Sequence, residues 1–349
     1  MIALLIAAAV SLASSLVGTR LLIKWLQRRS VSQPILVLEG KNAPPHAAKI
    51  GTPTMGGVAI VASMLAGYAV AHLRHGTIFT NTGLIVVLTI FGAATVGFLD
   101  DWIKVTNARN LGLSKRMKML GLLVVAIGFG VLLVTVTRVH YGLAFTRFDN
   151  PGWNLHAAGW VILAAFMILS TSNAVNVSDG LDGLAAGSAI YGFIAFTVIA
   201  FWGFRHPEIY KIDHALDLSV IAVSMAGACA GFLWWNAAPA RIFMGDTGSL
   251  AIGTGLATLA ATTNTQLLLP IICGLYVAET MSVILQVISY RGFGRRLFAM
   301  SPVHHHFELK GWAETTVIIR FWIVAGLLTA VGLGLYYADF VALGAAAVD

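Results

Sequence analysis

The stretch T-G-L-I-V-V-L-T-I-F-G-A-A-T-V-G-F-L-D-D-W-I-K, from Thr82 to Lys104, decides the class of this molecule. It carries no charge as far as Leu99 and then sets two carboxylates side by side, Asp100 and Asp101. An α-helix needs about 20 apolar residues to cross the hydrocarbon core of a bilayer, so this segment reads as a membrane span that ends in a polar, acidic tip. Similar runs recur along the whole chain. They lie at about 2–24, 55–73, 82–100, 119–137, 158–178, 183–203, 216–236, 247–262, 266–288 and 317–337, which predicts an all-α polytopic membrane protein with about ten transmembrane helices.

Composition agrees. Of 349 residues 58% are hydrophobic and 11% charged, and the mean hydropathy is +0.83, outside the range of soluble globular domains. The formal net charge of +7 does not indicate a nucleic-acid partner, because the basic residues sit in short loops between apolar runs. Arg20, Lys24, Arg28 and Arg29 follow the first apolar run instead of preceding it, so this run reads as an uncleaved span and not as a signal peptide. Cys229 and Cys273 both lie inside apolar runs, too few and too buried for a disulfide framework or a thiolate metal site. No internal repeat or low-complexity segment divides residues 1–349, which are read as one membrane domain.

With ten spans the loops alternate sides. Arg74, Arg138, Arg147, Arg205 and Lys211 fall on one side, and the other Lys and Arg lie in or beside the odd-numbered loops. The positive-inside rule makes the odd loops cytoplasmic and both termini external. Asp100, Asp101, Asp179, Asp182, Asp246, Glu308 and Glu314 then gather at the cytoplasmic ends, with the Gly-rich stretches Gly51–Gly57 and Met244–Ser249.

Four of these clusters can carry chemistry. Adjacent Asp100 and Asp101 cannot both ionise cheaply at a membrane boundary without a cation, and Lys104 lies one helical turn beyond Asp100. They read as a solvated helix end or as a site for a divalent metal and phosphate. In N-A-V-N-V-S-D-G-L-D-G-L the polar residues Asn173, Asn176, Asp179 and Asp182 recur every third position. On a straight helix that set drifts around the axis, so gathering it requires a bend or break near Gly180 and Gly183. In R-I-F-M-G-D-T-G-S-L, Asp246 is placed like an N-cap before Thr247 and Ser249, where a helix start offers free N–H groups to phosphate. In S-P-V-H-H-H-F-E the consecutive His304, His305 and His306 point in different directions, a poor zinc tripod better suited to hydrogen bonding a phosphate.

In this order, and with G-T-P-T-M-G-G ahead of them and F-E-L-K-G-W closing the last, these motifs resemble the polyprenyl-phosphate N-acetylhexosamine-1-phosphate transferase superfamily. Within it they are most similar to the phospho-N-acetylmuramoyl-pentapeptide transferases, with Ser178 standing where Thr is usual. The resemblance covers about residues 49–312. It implies transfer of phospho-MurNAc-pentapeptide from UDP-MurNAc-pentapeptide to undecaprenyl phosphate, giving lipid I and UMP with Mg²⁺, by a homodimer in the bacterial cytoplasmic membrane with its active site on the cytoplasmic face. It implies Asp246 as metal ligand and Asp100, Asp101 and Asp246 as catalytic carboxylates. Gly180, Leu181, Asp182 and Phe243 would border the nucleoside, with Lys104 near the uracil. Lys49, Thr54, Asn173, Asn176, Asp179, Asn236, Gln286, His304, His305 and His306 would line the remainder. The rival readings are a sister transferase taking UDP-GlcNAc or a related donor and, in another class, a lipid or solute transporter built around Glu279 and Gln286.

Overall fold

The structure is a computed structural model, described here over residues 1–29, 51–74, 78–106, 112–212 and 214–346, with side chains to 343. Helix α1 (Ile2–Arg28) is followed by α2 (Gly57–His72), α3 (Asn81–Thr106) and α4 (Lys115–Val136). A hairpin of β1 (Gly142–Arg147) and β2 (Asn150–Asn154) leads to α5 (His156–Ser178), α6 (Leu184–Arg205), the single turn α7 (Pro207–Tyr210) and α8 (Ala215–Asn236). The chain closes with α9 (Gly245–Thr262), the short α10 (Leu269–Ile272), α11 (Gly274–Phe293), α12 (Val303–Leu309) and α13 (Glu314–Ala346). Nine of the ten expected spans coincide with one helix each, and the run at 266–288 is divided between α10 and α11. Seven of them, α1, α3, α4, α5, α6, α8 and α13, are long and apolar enough to cross a membrane.

The remaining three differ for physical reasons. Helix α9 is the axis of the bundle: every residue from Asp246 to Thr262 is buried, packed by α2, α3, α5, α6 and α8. Surrounded by protein and not by lipid, it has no need of large apolar side chains, and its Gly, Ala, Ser and Thr let neighbouring backbones approach closely. At Gly57, where α2 starts, an added Cβ would lie 2.0 Å from the backbone nitrogen of Gly248. At Gly97 in α3 it would lie 2.3 Å from the carbonyl oxygen of Asp246. These two positions admit glycine alone, and they hold α2 and α3 against the start of α9.

Helix α2 is short. The run expected from 266 to 288 is interrupted: Pro270 lies in the first turn of α10, the chain breaks at Cys273, and α11 starts afresh at Gly274. Beyond Ser282 no residue of α11 is buried, so its last three turns stand away from the bundle. The β-hairpin was not expected from the sequence. Its strands pair antiparallel, Leu143 with Trp153, and Leu267 N–H donates to Ala144 O at 3.0 Å, tying the hairpin to the chain after α9.

Candidate active site

Helices α3, α4, α5 and α9 bring their polar ends to one place. The C-terminal turns of α3 supply Asp100, Asp101 and Lys104, the first turn of α4 supplies Lys118, the last turn of α5 supplies Asn176, and α9 begins there with Asp246. Carboxylate oxygens of Asp100, Asp101 and Asp246 all lie within 4.8 Å of one another.

Asp246 was expected as an N-cap. The helix instead begins at Gly245 with Met244 at the cap position, and the side chain of Asp246 makes no cap. That service comes from another helix. Asp101, 1% exposed, accepts from Asp246 N–H at 3.0 Å through one oxygen. Through the other it accepts from Thr247 N–H at 2.9 Å and Thr247 Oγ1 at 2.7 Å. A carboxylate at a helix N-terminus satisfies its orphan donors and complements the dipole. Asp101 therefore fastens α9 to α3 and frees the Asp246 side chain to face the other way.

That side chain is held by two ammoniums and an amide. Lys104 Nζ lies 2.9 Å and Lys118 Nζ 2.7 Å from Asp246 Oδ2. Asn176 Nδ2 donates to Asp246 Oδ1 and, at 2.8 Å, to Ser249 Oγ. Lys104 also pairs with Asp100 and stands 3.8 Å from Asp101. Burial alone would raise the Asp246 carboxyl, but the hydrogen bond shared with Asp100 and the Lys118 and Lys104 ammoniums hold it well below the usual carboxylate range. Asp100 is fixed from the far side, where Leu113 N–H donates to its Oδ1 at 2.8 Å. Lys118 is the member that sequence reasoning missed: in K-R-M-K it counted only as a charge that orients the chain.

The second Asp motif behaves as its spacing required. Helix α5 ends at Ser178 and α6 begins at Leu184 after Gly183 at a φ of 81°, so a break separates the polar residues of the motif. Asn176 reaches the cluster, whereas Asn173 donates to Leu169 O at 2.7 Å within its own helix. Asp179 sits at the α5 C-cap, where burial and then the charges of Asp246, Asp101 and Asp182 push its carboxyl well up. Asp182 braces the wall: its Oδ2 accepts from Ala240 N–H at 2.9 Å, and its own N–H donates to Glu314 Oε1 at 3.1 Å. Leu181 packs with Leu184, Leu275 and Val317.

The Gly-rich strap lies against the start of α9. Phe243 N–H donates to Pro53 O at 2.8 Å, and Gly56 N–H donates to Phe243 O at 2.9 Å. Thr54 is buried there and its hydroxyl has no partner among the described residues. Asn236 donates to Ile242 O at 2.9 Å, supporting the turn into Phe243. Lys49 lies outside the described residues.

The three histidines diverge, as consecutive residues must. His304 Nδ1 meets Glu279 Oε2 at 3.0 Å with both side chains fully buried. His305 Nδ1 meets Glu308 Oε2 at 2.7 Å, and His306 Nδ1 accepts from Ala299 N–H at 3.0 Å. Nδ1 of His304 is engaged by the Glu279 carboxyl, and its buried Nε2 has no partner among the described residues. A Cβ on Gly180 would lie 2.5 Å from that nitrogen, so the glycine is what leaves it room. Glu279, which suggested a transporter, is thus the partner of a histidine. Gln286 is likewise used locally, accepting from Leu297 and Phe298 N–H at 2.9 Å each and donating to Phe298 O at 3.0 Å.

Three carboxylates within 4.8 Å form an oxygen donor set suited to a hard divalent cation. Asp101 has both oxygens engaged by α9, which leaves Asp100 and Asp246 as the better ligands. The ammonium of Lys104, bridging them, marks where positive charge is stabilised.

Known proteins are similar to this sequence over most of its length. The profile of glycosyl transferase family 4 matches residues 83–264, and phospho-N-acetylmuramoyl-pentapeptide-transferase signature 1 matches residues 49–61. A protein of Frankia alni named phospho-N-acetylmuramoyl-pentapeptide-transferase is 47% identical, the match covering 97% of this chain and 98% of that one. Proteins of the same name from Streptomyces griseus and Cutibacterium acnes are each 44% identical, over 97% of this chain and 99% of theirs.

Proposed function

The chain belongs to the phospho-N-acetylmuramoyl-pentapeptide-transferase family, and from that premise we propose that it moves phospho-MurNAc-pentapeptide from UDP-MurNAc-pentapeptide to undecaprenyl phosphate, yielding lipid I and UMP. The observation that carries the reading is the convergence of Asp100, Lys104, Lys118, Asn176 and Asp246 at one end of the bundle. The Lys/Arg bias between loops supports placing that end at the cytoplasmic face of the bacterial inner membrane.

The chemistry asks for charge control more than for a base. A phosphate monoester has a second pKa of about 6, so the lipid phosphate is already mostly dianionic at neutral pH. Its oxygen bonds to the donor β-phosphorus, the bridging bond to the α-phosphate breaks, and UMP leaves with the electron pair. No proton has to move. The obstacle is repulsion between the dianion and the pyrophosphate. Lys104 and Lys118 hold two ammoniums beside the reaction centre, already tethered by Asp100 and Asp246, so both charges are positioned before substrate arrives. Asn176 orients the Asp246 carboxylate, and Asp101 positions it through α9. His304 Nε2 is buried with no partner among the described residues, and as an imidazolium balanced by the Glu279 carboxylate it would donate to a donor phosphate oxygen. Mg²⁺ held by Asp100 and Asp246 would neutralise donor charge and stabilise the departing UMP.

The test is turnover by the purified chain with UDP-MurNAc-pentapeptide and, separately, UDP-GlcNAc. UMP released together with a lipid-linked product from the first donor alone is expected. Turnover of UDP-GlcNAc at equal efficiency would shift the assignment to a sister transferase.

A further inference from the structure

Helix α11 leaves the bundle after Ser282, yet the loop beyond it is not loose. Gly294, at a φ of 65°, reverses the chain. Ser289 Oγ then donates to Arg295 O at 2.8 Å, and Gln286 takes up the backbone of Leu297 and Phe298. Ala299 N–H is bound to His306 on α12. The segment from 295 to 299 is therefore a built wall, fastened to α11 on one side and to the histidine helix on the other. Between wall and helix lies a cleft of roughly 710 Å³ whose lining includes Gln286, Tyr290, Arg291, Arg296 and Ser301. No lining residue is acidic, and among the described residues neither Arg291 nor Arg296 has a carboxylate partner. Two unpaired guanidiniums lining one cleft with the hydroxyls of Tyr290 and Ser301 make a receptor for oxyanions, whose paired oxygens the planar fork of arginine matches in carboxylate and phosphate alike.

We propose that this cleft is the subsite for the peptide arm of the donor, with Arg291 and Arg296 reading its free carboxylates. The proposal rests on the reaction given above and adds to it the part of the substrate that lies away from the phosphates. Reach is sufficient. Ser301 is three residues from His304, a separation of at most about 11 Å along the chain, while an extended pentapeptide spans up to roughly 17 Å. An anionic lipid headgroup would meet the same two charges, but it would not need the Tyr290 and Ser301 hydroxyls that line the cleft with them.

The experiment measures UMP release by the full-length protein with two donors, UDP-MurNAc-pentapeptide with free peptide carboxylates and the same donor with those carboxylates amidated. Arg291→Ala and Arg296→Ala should each raise the KM for the acidic donor by about tenfold with kcat little changed. The KM for the amidated donor should stay within about twofold, because an exposed rim contact with no charge to read contributes little. Arg291→Lys should recover part of the loss. Equal KM changes for both donors, or changes that follow the phosphatidylglycerol content of the vesicles, would overturn the peptide assignment in favour of a structural or lipid role. Absence of UMP from the wild-type chain with either donor would instead sink the transferase reading, and this subsite with it.

Discussion

Asp101→Asn separates a helix cap from a reacting group. The wild-type carboxylate accepts three hydrogen bonds from the first turn of α9, at 3.0, 2.9 and 2.7 Å. An asparagine that keeps its carbonyl toward Thr247 retains two of them and turns its NH₂ toward the N–H of Asp246. One buried backbone donor is then left unsatisfied, at a cost of about 1–3 kcal/mol. Loss of the negative charge at the helix start adds roughly 0.3–1 kcal/mol, and more where the site is partly buried. The expected destabilisation is therefore about 1.3–4 kcal/mol, a factor of roughly 9 to 900 in the unfolding equilibrium. Equilibrium unfolding of the purified variant in detergent reads it. Activity should fall in parallel, because α9 carries Asp246. Thr247→Val, which removes the hydroxyl bond alone, should lose about 1 kcal/mol and keep most turnover. Unchanged stability together with abolished activity in Asp101→Asn would refute the cap and place Asp101 among the reacting groups.

Gly97→Ala forces a methyl group to 2.3 Å from the carbonyl oxygen of Asp246, so α3 and α9 must part; a loss of about 1–3 kcal/mol or more with strongly reduced turnover is expected, whereas Gly128→Ala, with open space around it, should be silent in both assays. Asp179 is pushed up by burial and by neighbouring carboxylates, so the native state binds its proton longer than the unfolded chain, and stability drops as pH rises above the unfolded value of about 3.9. Asp179→Asn should accordingly raise the thermal midpoint at pH 8, with the gain shrinking toward pH 4; an equal gain at both pH values would contradict that sign. Cysteine placed at Arg116 should react with a membrane-impermeant thiol reagent only from the cytoplasmic side, with the native Cys229 and Cys273 silent because both are buried. Labelling from outside in intact cells would reverse the topology.

The fold was legible wherever helices face lipid, because hydropathy measures the cost of that exposure. It faded at α9, whose Gly-Asp-Thr-Gly-Ser start and small residues reflect a protein environment, and at Pro270, which divides the expected ninth run. The hairpin at 142–154 carried only the weak turn signal Asn150-Pro151-Gly152 in a long connection. In the site, Asp100, Asp246 and Asn176 were visible because polar residues clustered with Gly-rich motifs at the ends of otherwise apolar runs stand out. Lys118 was hidden among charges that equally serve orientation, and Glu279 became intelligible only when folding set it against His304. The role of Asp101 as a cap on a helix that begins 144 residues later has no local signature, since tertiary caps depend on packing and not on spacing.

The claim that the α3–α9 carboxylates form a metal-dependent phosphoryl-transfer centre is tested most directly by UMP release at graded Mg²⁺, comparing wild type with Asp246→Asn in preparations of matched unfolding midpoint. Wild-type turnover should rise from background to saturation as Mg²⁺ is added and vanish with chelator. Asp246→Asn should stay near background at every concentration, having lost the carboxylate that Lys104, Lys118 and Asn176 all converge upon. Near wild-type turnover by the variant at limiting Mg²⁺, or wild-type turnover indifferent to chelation, would contradict the account.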